Sequence, residues 1–221
     1  RTIVFDKTGT LTKAQPTVVD VVPFSDQSRD ELLTIAACLE EHFPHPVARA
    51  VVRAAEARNL KHREKHSEVE YIVAHGIASS LEGKRVVIGS EHFVVEDEGV
   101  LIEEEKRERI SRETEGLSPL YLAVDGELVG VIGIEDPIKP NVPTVLRDLR
   151  SLGFGRIIML TGDNEKTAEC IARQAGVSEF HANLLPEDKH AFVRALREEG
   201  ASIVMVGDGV NDSPALSEAN V

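Results

Sequence analysis

Three apolar runs, each delivering a polar residue at or just beyond its end, constrain this chain more than any other feature. They are TIVFD at 2–6, RIIMLT at 156–161 and SIVMVG at 202–207. Unbroken runs of this length, bounded by turn residues, read as strands buried on both faces. The second is followed by Gly162-Asp163 and the third by Gly207-Asp208. Helical patterns lie between them at 141–152 and 164–176, each opening on an Asn in the N-cap position and closing near a Gly, with a further helix at 187–199 after Pro186. Strand–helix–strand alternation implies an α/β fold with a parallel sheet and right-handed crossovers. Functional groups then gather where the carboxyl ends of the strands open into loops. Asp6, Thr161, Asp163 and Asp208 all stand at such ends, and together they describe a site.

The middle of the chain has another character. Helices are predicted at 29–41 and 47–59, and shorter strands near 69–73, 85–89, 119–124 and 128–134. Glu82-Gly83 and Asp125-Gly126 are the turns, the second between alternating runs as in a hairpin. This is an α+β insert with an antiparallel sheet as its core. The expected division is 1–22 with 133–221 for the parallel-sheet domain and 23–132 for the insert. GLSPL at 116–120 and DPIKP at 136–140 carry the punctuation of boundaries and hinges. KHREKHSEVE at 61–70 reads as a solvated loop.

Composition removes several classes of function. A net charge of -13 argues against a nucleic-acid partner, whose phosphates require basic patches. Cys38 and Cys170 form no CxxC pair, so neither a zinc site nor a disulfide framework is indicated. No apolar run approaches the roughly eighteen residues of a membrane helix. Arg1 is no initiator residue and a chain seldom starts inside a strand, so a longer parent protein is expected.

An aspartate at a strand tip can be a nucleophile, a metal ligand or a turn residue. Asp6 has company that favours chemistry. Lys189, near the start of a helix, is placed to neutralise phosphoryl oxygens. GDGVNDSPAL at 207–216 adds Asp208 and Asp212, with glycines that allow close backbone approach. Thr161 offers a hydroxyl and a backbone N–H. Carboxylates alone would repel a phosphate, so the constellation needs a cation, and hard oxygen ligands favour magnesium, Mg2+. A carboxylate attacking phosphorus gives an aspartyl phosphate. Positioning and charge neutralisation then carry most of the catalysis.

DKTGTLT at 6–12, TGDN at 161–164 and GDGVNDSPAL, in this order, resemble the cytosolic catalytic loop of a P-type ATPase. That loop belongs to the haloacid-dehalogenase-like phosphotransferases: a Rossmann-like phosphorylation domain, split in sequence by a nucleotide-binding domain. The resemblance implies that Asp6 is phosphorylated by ATP. It implies magnesium on the side chains of Asp6 and Asp208 and the backbone carbonyl of Thr8. Thr161 and Lys189 would bind the phosphoryl group; Lys7, Gly162, Asp163, Asn211 and Asp212 complete the matching motifs; Asp136 matches the hinge aspartate.

Thr8 is informative in this setting. Soluble phosphatases of the group usually carry a second Asp two places after the nucleophile, to protonate the leaving group and then activate water. A threonine hydroxyl is too weakly acidic for that work near neutral pH. The phosphoenzyme is therefore expected to persist until an actuator domain, which carries a TGE loop in the family, supplies hydrolysis.

No Walker-type GxxxxGK[ST] occurs, so the insert must hold ATP by other means. His45-Pro46 ahead of an amphipathic helix resembles the His-Pro element of heavy-metal-transporting P-type ATPases, and Glu40 matches the glutamate of that branch. AHGIASSLEGKRVVIGS at 74–90 resembles its glycine-rich nucleotide loop, with Gly76 and Gly89 on matching positions. Ala74 departs from the first glycine of that loop and Ser90 from the asparagine that follows the later one. The resemblance implies ATP as ligand, actuator and transmembrane domains of the same longer chain as partners, and a monomeric cytoplasmic domain of an integral membrane protein that does not itself span the bilayer. Two alternatives stand beside it. One is a free-standing phosphatase of the same fold, against which Thr8 argues; the other is a non-catalytic metal-sensing module built on the chain's histidines.

Overall fold

The computed structural model describes residues 1–43, 45–60, 66–72, 76–209 and 213–221, with backbone alone over 66–72. The chain runs β1 (Thr2–Asp6), β2 (Thr17–Pro23), α1 (Arg29–Glu40), α2 (Pro46–Ala57), β3 (His66–Ile72), β4 (Gly76–Leu81) and β5 (Lys84–Gly89). It continues through α3 (Glu104–Glu113), β6 (Ser118–Val124), β7 (Glu127–Glu135), α4 (Val142–Ser151) and β8 (Arg156–Leu160). α5 (Glu165–Ala175), β9 (Glu179–His181), α6 (Pro186–Glu198), β10 (Ile203–Val206) and α7 (Ser213–Glu218) complete it. Two compact units result, one of residues 1–15 with 136–221 and one of residues 16–135.

The first unit holds a parallel sheet in the order β10-β1-β8-β9. β1 is central: Phe5 lies opposite Val206 of β10, and Asp6 opposite Leu160 of β8. Ile3, Phe5, Ile157 and Met159 pack on one face against Val142 and Leu146 of α4 and Ala168 and Ile171 of α5. Val4, Ile158, Leu160 and Met205 pack on the other against Val193 and Leu196 of α6. Cover on both faces is the physical reason these strands are continuously apolar rather than alternating. β8 and β9 lie to one side of β1 and β10 to the other, so the winding reverses there. In open α/β sheets ligands bind outside the carboxyl ends at such a reversal.

Of the two asparagines expected to cap helices, one does so. The Asn164 side chain accepts the Thr167 N–H at 2.9 Å, and Gly176 closes α5 at φ 80. Asn141 sits in helical conformation and makes no side-chain cap, so α4 starts from Pro143 in its first turn instead.

The second unit is a six-stranded antiparallel sheet, β2-β7-β6-β5-β4-β3. Two-residue turns join β4 to β5 and β6 to β7: Glu82 (φ 52) with Gly83 (φ 82), and Asp125 (φ 50) with Gly126 (φ 81). Positive φ at both central residues gives the turn whose twist matches the flanking strands. Leu32, Leu33 and Ala36 of α1 and Val51 of α2 cover one face, and Phe93, Val94 and Ile110 cover the other.

One expectation is corrected, and the division differs. The compact units divide between 15 and 16 and between 135 and 136, a few residues from the expected 22/23 and 132/133. The reason is the β2–β7 ladder, which pairs Thr17 with Glu135 and Pro23 with Gly130 and so draws both connections into the antiparallel sheet. Residues 66–70 belong to β3, paired with β4, instead of a loop; the rest of that stretch, 61–65, lies outside the described residues. β3 is an edge strand, where charged residues are tolerated and also discourage pairing with another chain. α3, with eight charged residues among the ten of EEKRERISRE, carries too little apolar signal to be read from sequence.

Candidate active site

Asp6 ends β1 with its side chain buried. The chain then makes a wide turn through Lys7–Leu11, which Gly9 permits at φ 75. The turn brings the Thr8 N–H to Asp6 Oδ2 at 3.0 Å. Lys189 Nζ, from the first turn of α6, lies 2.5 Å from Asp6 Oδ1. Asp188 helps set that turn, its carboxylate accepting the Leu185 N–H at 2.9 Å. Removing one partner from so buried an ion pair typically costs about 3–5 kcal/mol, because the other charge is stranded.

Lys7 points away from Asp6 and into the loop after β8. Its Nζ is 2.7 Å from Asp163 Oδ2, and both side chains are nine-tenths buried. Asp163 Oδ2 also accepts the Thr161 hydroxyl at 2.9 Å, while Thr161 Oγ1 accepts the Asp163 N–H at 3.1 Å. The loop 181–184 braces this knot through Thr161 N–H to the His181 carbonyl and Asn183 N–H to the Asp163 carbonyl, at 3.0 and 2.7 Å. Gly162 is held close to it: a Cβ there would stand 3.2 Å from the Leu184 carbonyl oxygen.

Asp208, past the end of β10, lies against the turn after Asp6. A Cβ on Gly9 would come within 3.3 Å of Asp208 Oδ2. The Asp6 and Asp208 carboxylates and the Thr8 carbonyl are all hard oxygen donors and suit magnesium. Among the described residues no three His, Cys, Asp or Glu side chains form a metal-holding group. Two carboxylates and a carbonyl are what a magnesium site needs when phosphate oxygens and water fill the remaining positions.

Asp136 is brought to the far end of the DKTGTLT segment. Its Oδ2 accepts the Thr12 hydroxyl at 2.5 Å and its Oδ1 the Gln15 N–H at 3.1 Å. Asn211 and Asp212 lie outside the described residues, as does Ala74.

In the second unit, Glu40, His45, Gly76, Gly89 and Ser90 line one cavity of about 240 Å³ together with apolar residues that include Phe43, Ile88 and Leu120. Gly76 and Gly89 are direct cross-strand partners. Gly76 has no room for a side chain, since a Cβ would overlap the Phe93 ring and stand 2.6 Å from the Ile88 carbonyl oxygen. Ser90 Oγ accepts the Phe93 N–H at 3.2 Å and so helps hold that ring. Burial pushes the Glu40 carboxyl up to about 7. His45 caps α2, Nδ1 accepting the Val47 N–H at 3.3 Å. Desolvation, and then the nearby Arg49, lower its pKa and favour the neutral ring. Accepting at Nδ1 leaves the proton of that ring on Nε2. Pro46 begins the same helix in its first turn.

Sequence reasoning passed over Thr12 and Lys139, which touch the turn after Asp6, and Phe43 and Leu120, which line the cavity. Thr12 and Lys139 carried a signal in DKTGTLT and DPIKP. Phe43 and Leu120 are ordinary apolar residues whose role depends on what packs beside them.

The haloacid dehalogenase-like hydrolase family model matches residues 1–220. The chain is 39% identical over 220 residues to the silver exporting P-type ATPase of Salmonella typhimurium and 40% identical over 221 residues to the zinc-exporting P-type ATPase of Mycobacterium marinum. These alignments cover 100% and 99% of this chain but only 26% and 30% of those proteins. Among solved structures, the catalytic domain of the CPx-ATPase CopB-B superimposes with a TM-score of 0.77 at 28% identity, over 100% of this chain and 75% of that one. A zinc-transporting PIB-type ATPase gives 0.58 at 33% identity, over 99% of this chain and 34% of that one. The chain belongs to the haloacid dehalogenase-like hydrolases, and it matches along its whole length the catalytic portion of heavy-metal P-type ATPases.

Proposed function

We propose that this chain is the ATP-binding, autophosphorylating portion of a P-type ATPase that moves heavy-metal cations across a membrane. The observation that carries the reading is Asp6: a buried carboxylate at a strand end, with Lys189 on one oxygen, and a threonine where a phosphatase would place its second acid. A carboxylate oxygen of Asp6 forms a bond to the γ-phosphorus of ATP. The bond from that phosphorus to the β–γ bridging oxygen breaks, and ADP leaves with the electron pair. Lys189 offsets negative charge on the carboxylate and on incoming phosphoryl oxygens. Lys7 and Asp163 hold the Thr161 loop beside it. Magnesium, when bound by Asp6, Asp208 and the Thr8 carbonyl, supplies further charge neutralisation.

The cavity of the 16–135 unit is the proposed ATP site. Gly76 and Gly89 present backbone at its wall, and Glu40 and His45 offer polar groups there. The relatives named above export silver and zinc, which supports heavy-metal cations as the cargo class. Hydrolysis of the acyl phosphate is assigned to an actuator domain, and transport to transmembrane domains, of a longer chain. Among the described residues no helix is long and apolar enough to cross a membrane.

The test is phosphorylation by ATP labelled at the γ-phosphate. Label should attach to the chain, be released by hydroxylamine as an acyl phosphate is, and be absent in Asp6→Asn. ATP affinity in that variant should stay within about twofold, since the ligand contacts lie in the other unit. An unchanged label in Asp6→Asn overturns the nucleophile. Rapid turnover of small phosphate esters, insensitive to Thr8→Asp, would instead favour a phosphatase.

A further inference from the structure

We propose that Thr12, supported by Asp136 and Lys139, is a positioning residue that aims the Thr8 carbonyl at the magnesium position. The proposal rests on the reading above, in which that carbonyl is a ligand.

Thr12 is wholly buried, and its hydroxyl is bonded on both sides. It accepts the Gly9 N–H at 3.1 Å and donates to Asp136 Oδ2 at 2.5 Å. The Lys7 carbonyl, at 3.3 Å, is the poorer acceptor for its single proton. The Gly9 N–H and the Thr8 carbonyl belong to one planar trans peptide, so they point in opposite directions and fixing one fixes the other. The hydroxyl of Thr12 therefore sets the direction of a carbonyl that it does not touch.

The next peptide is pinned as well. The Gly9 carbonyl accepts Lys139 Nζ at 2.7 Å. Gly9 has no Cβ to restrict it and stands at φ 75, so without these two bonds its flanking peptides would be free to reorient. The support is anchored in its turn. Asp136 Oδ1 takes the Gln15 N–H at 3.1 Å. Two backbone bonds, Lys13 N–H to the Pro137 carbonyl at 3.0 Å and Lys139 N–H to the Leu11 carbonyl at 2.9 Å, tie 136–139 alongside 11–13. The 136–139 segment thus fastens the turn that carries the acceptor site. Groups that orient a metal's ligands are commonly worth about 10–100-fold in metal affinity.

The test uses the 221-residue chain with Thr12→Val, which keeps shape and removes the hydroxyl, Thr12→Ser, which keeps the hydroxyl, and Lys139→Met. Amide hydrogen exchange at Gly9 and a magnesium chloride titration, followed by the amide shifts of residues 6–9, are read for each. Thr12→Val should exchange the Gly9 amide at least about tenfold faster and need about tenfold more magnesium for half-saturation. Its ATP-induced shifts in the 16–135 unit should match the parent, and Thr12→Ser should lie within about twofold of the parent in both readouts. Should Thr12→Val not fold, Lys139→Met decides, with a several-fold higher magnesium requirement expected. A parent that responds to magnesium, beside a folded Thr12→Val, or failing that a Lys139→Met, with the parent's requirement, overturns this proposal alone. A parent whose residues 6–9 do not respond overturns the magnesium reading, and this proposal falls with it.

Discussion

Lys189 Nζ and Asp6 Oδ1 meet at 2.5 Å across 183 positions of sequence, and both side chains are buried, at 11% and 6% exposure. A charge pair in such a place is weak support for stability, because desolvation offsets much of the attraction. It is strong support for chemistry, since a buried carboxylate persists only with a counter-charge in reach.

Lys189→Met strands the Asp6 carboxylate. Denaturant unfolding of the 1–15 with 136–221 unit should show a loss of about 3–5 kcal/mol. Phosphorylation from ATP should fall by about 10²–10³. Adding Asp6→Asn to that variant should restore part of the stability, because the two substitutions act on one pair.

Thr8→Asp tests why the site holds its phosphate. The Thr8 side chain is exposed, so a carboxylate fits there, and the backbone N–H that serves Asp6 is kept. The acyl phosphate should decay at least about tenfold faster in a chase with unlabelled ATP, as a placed general base typically contributes 10²–10⁴. An unchanged decay would show that position 8 does not govern the lifetime.

Glu40 makes the second unit sensitive to pH. Its folded pKa is raised from 4.5 to about 7 by burial, so the folded state binds a proton that the unfolded state releases. The stabilisation is fully present below pH 4.5 and is lost as pH rises to about 7, a change on the order of 3 kcal/mol. Glu40→Gln should flatten the difference in unfolding free energy between pH 5 and 7, measured by urea titration at each pH, relative to the parent.

Gly76 and Gly155 form a matched pair for backbone space. A Cβ on Gly76 overlaps the Phe93 ring and the Ile88 carbonyl, whereas one on Gly155 meets nothing within 4 Å. Gly76→Ala should lower stability by about 1–3 kcal/mol and weaken ATP binding. Gly155→Ala should leave thermal unfolding within about 0.5 kcal/mol of the parent.

What could be read in advance had local causes. The apolar runs of β1, β8 and β10, the Gly-Asp elements after two of them, the Asn164 cap and the two-residue turns all depend on neighbours within a few positions. The motifs DKTGTLT, TGDN and GDGVNDSPAL marked the strand ends, and Glu40, His45, Gly76, Gly89 and Ser90, named from a resemblance, do line one cavity. Ambiguity began where signal was weak: α3 is nearly all charge, and β3 hides behind a charged edge.

The sequence by itself determined the α/β framework, the order of the strands along the chain and the residue types at their tips, because periodicity and turn chemistry act over short distances. Only the tertiary structure decided the partnerships. It paired Asp6 with Lys189 and Lys7 with Asp163, tied Asp136 to Thr12, moved the boundaries to 15/16 and 135/136 through the β2–β7 ladder, and raised the pKa of Glu40. Each depends on which distant segment the packing brings alongside and how much water it excludes, and those quantities exist only once the sheets have formed.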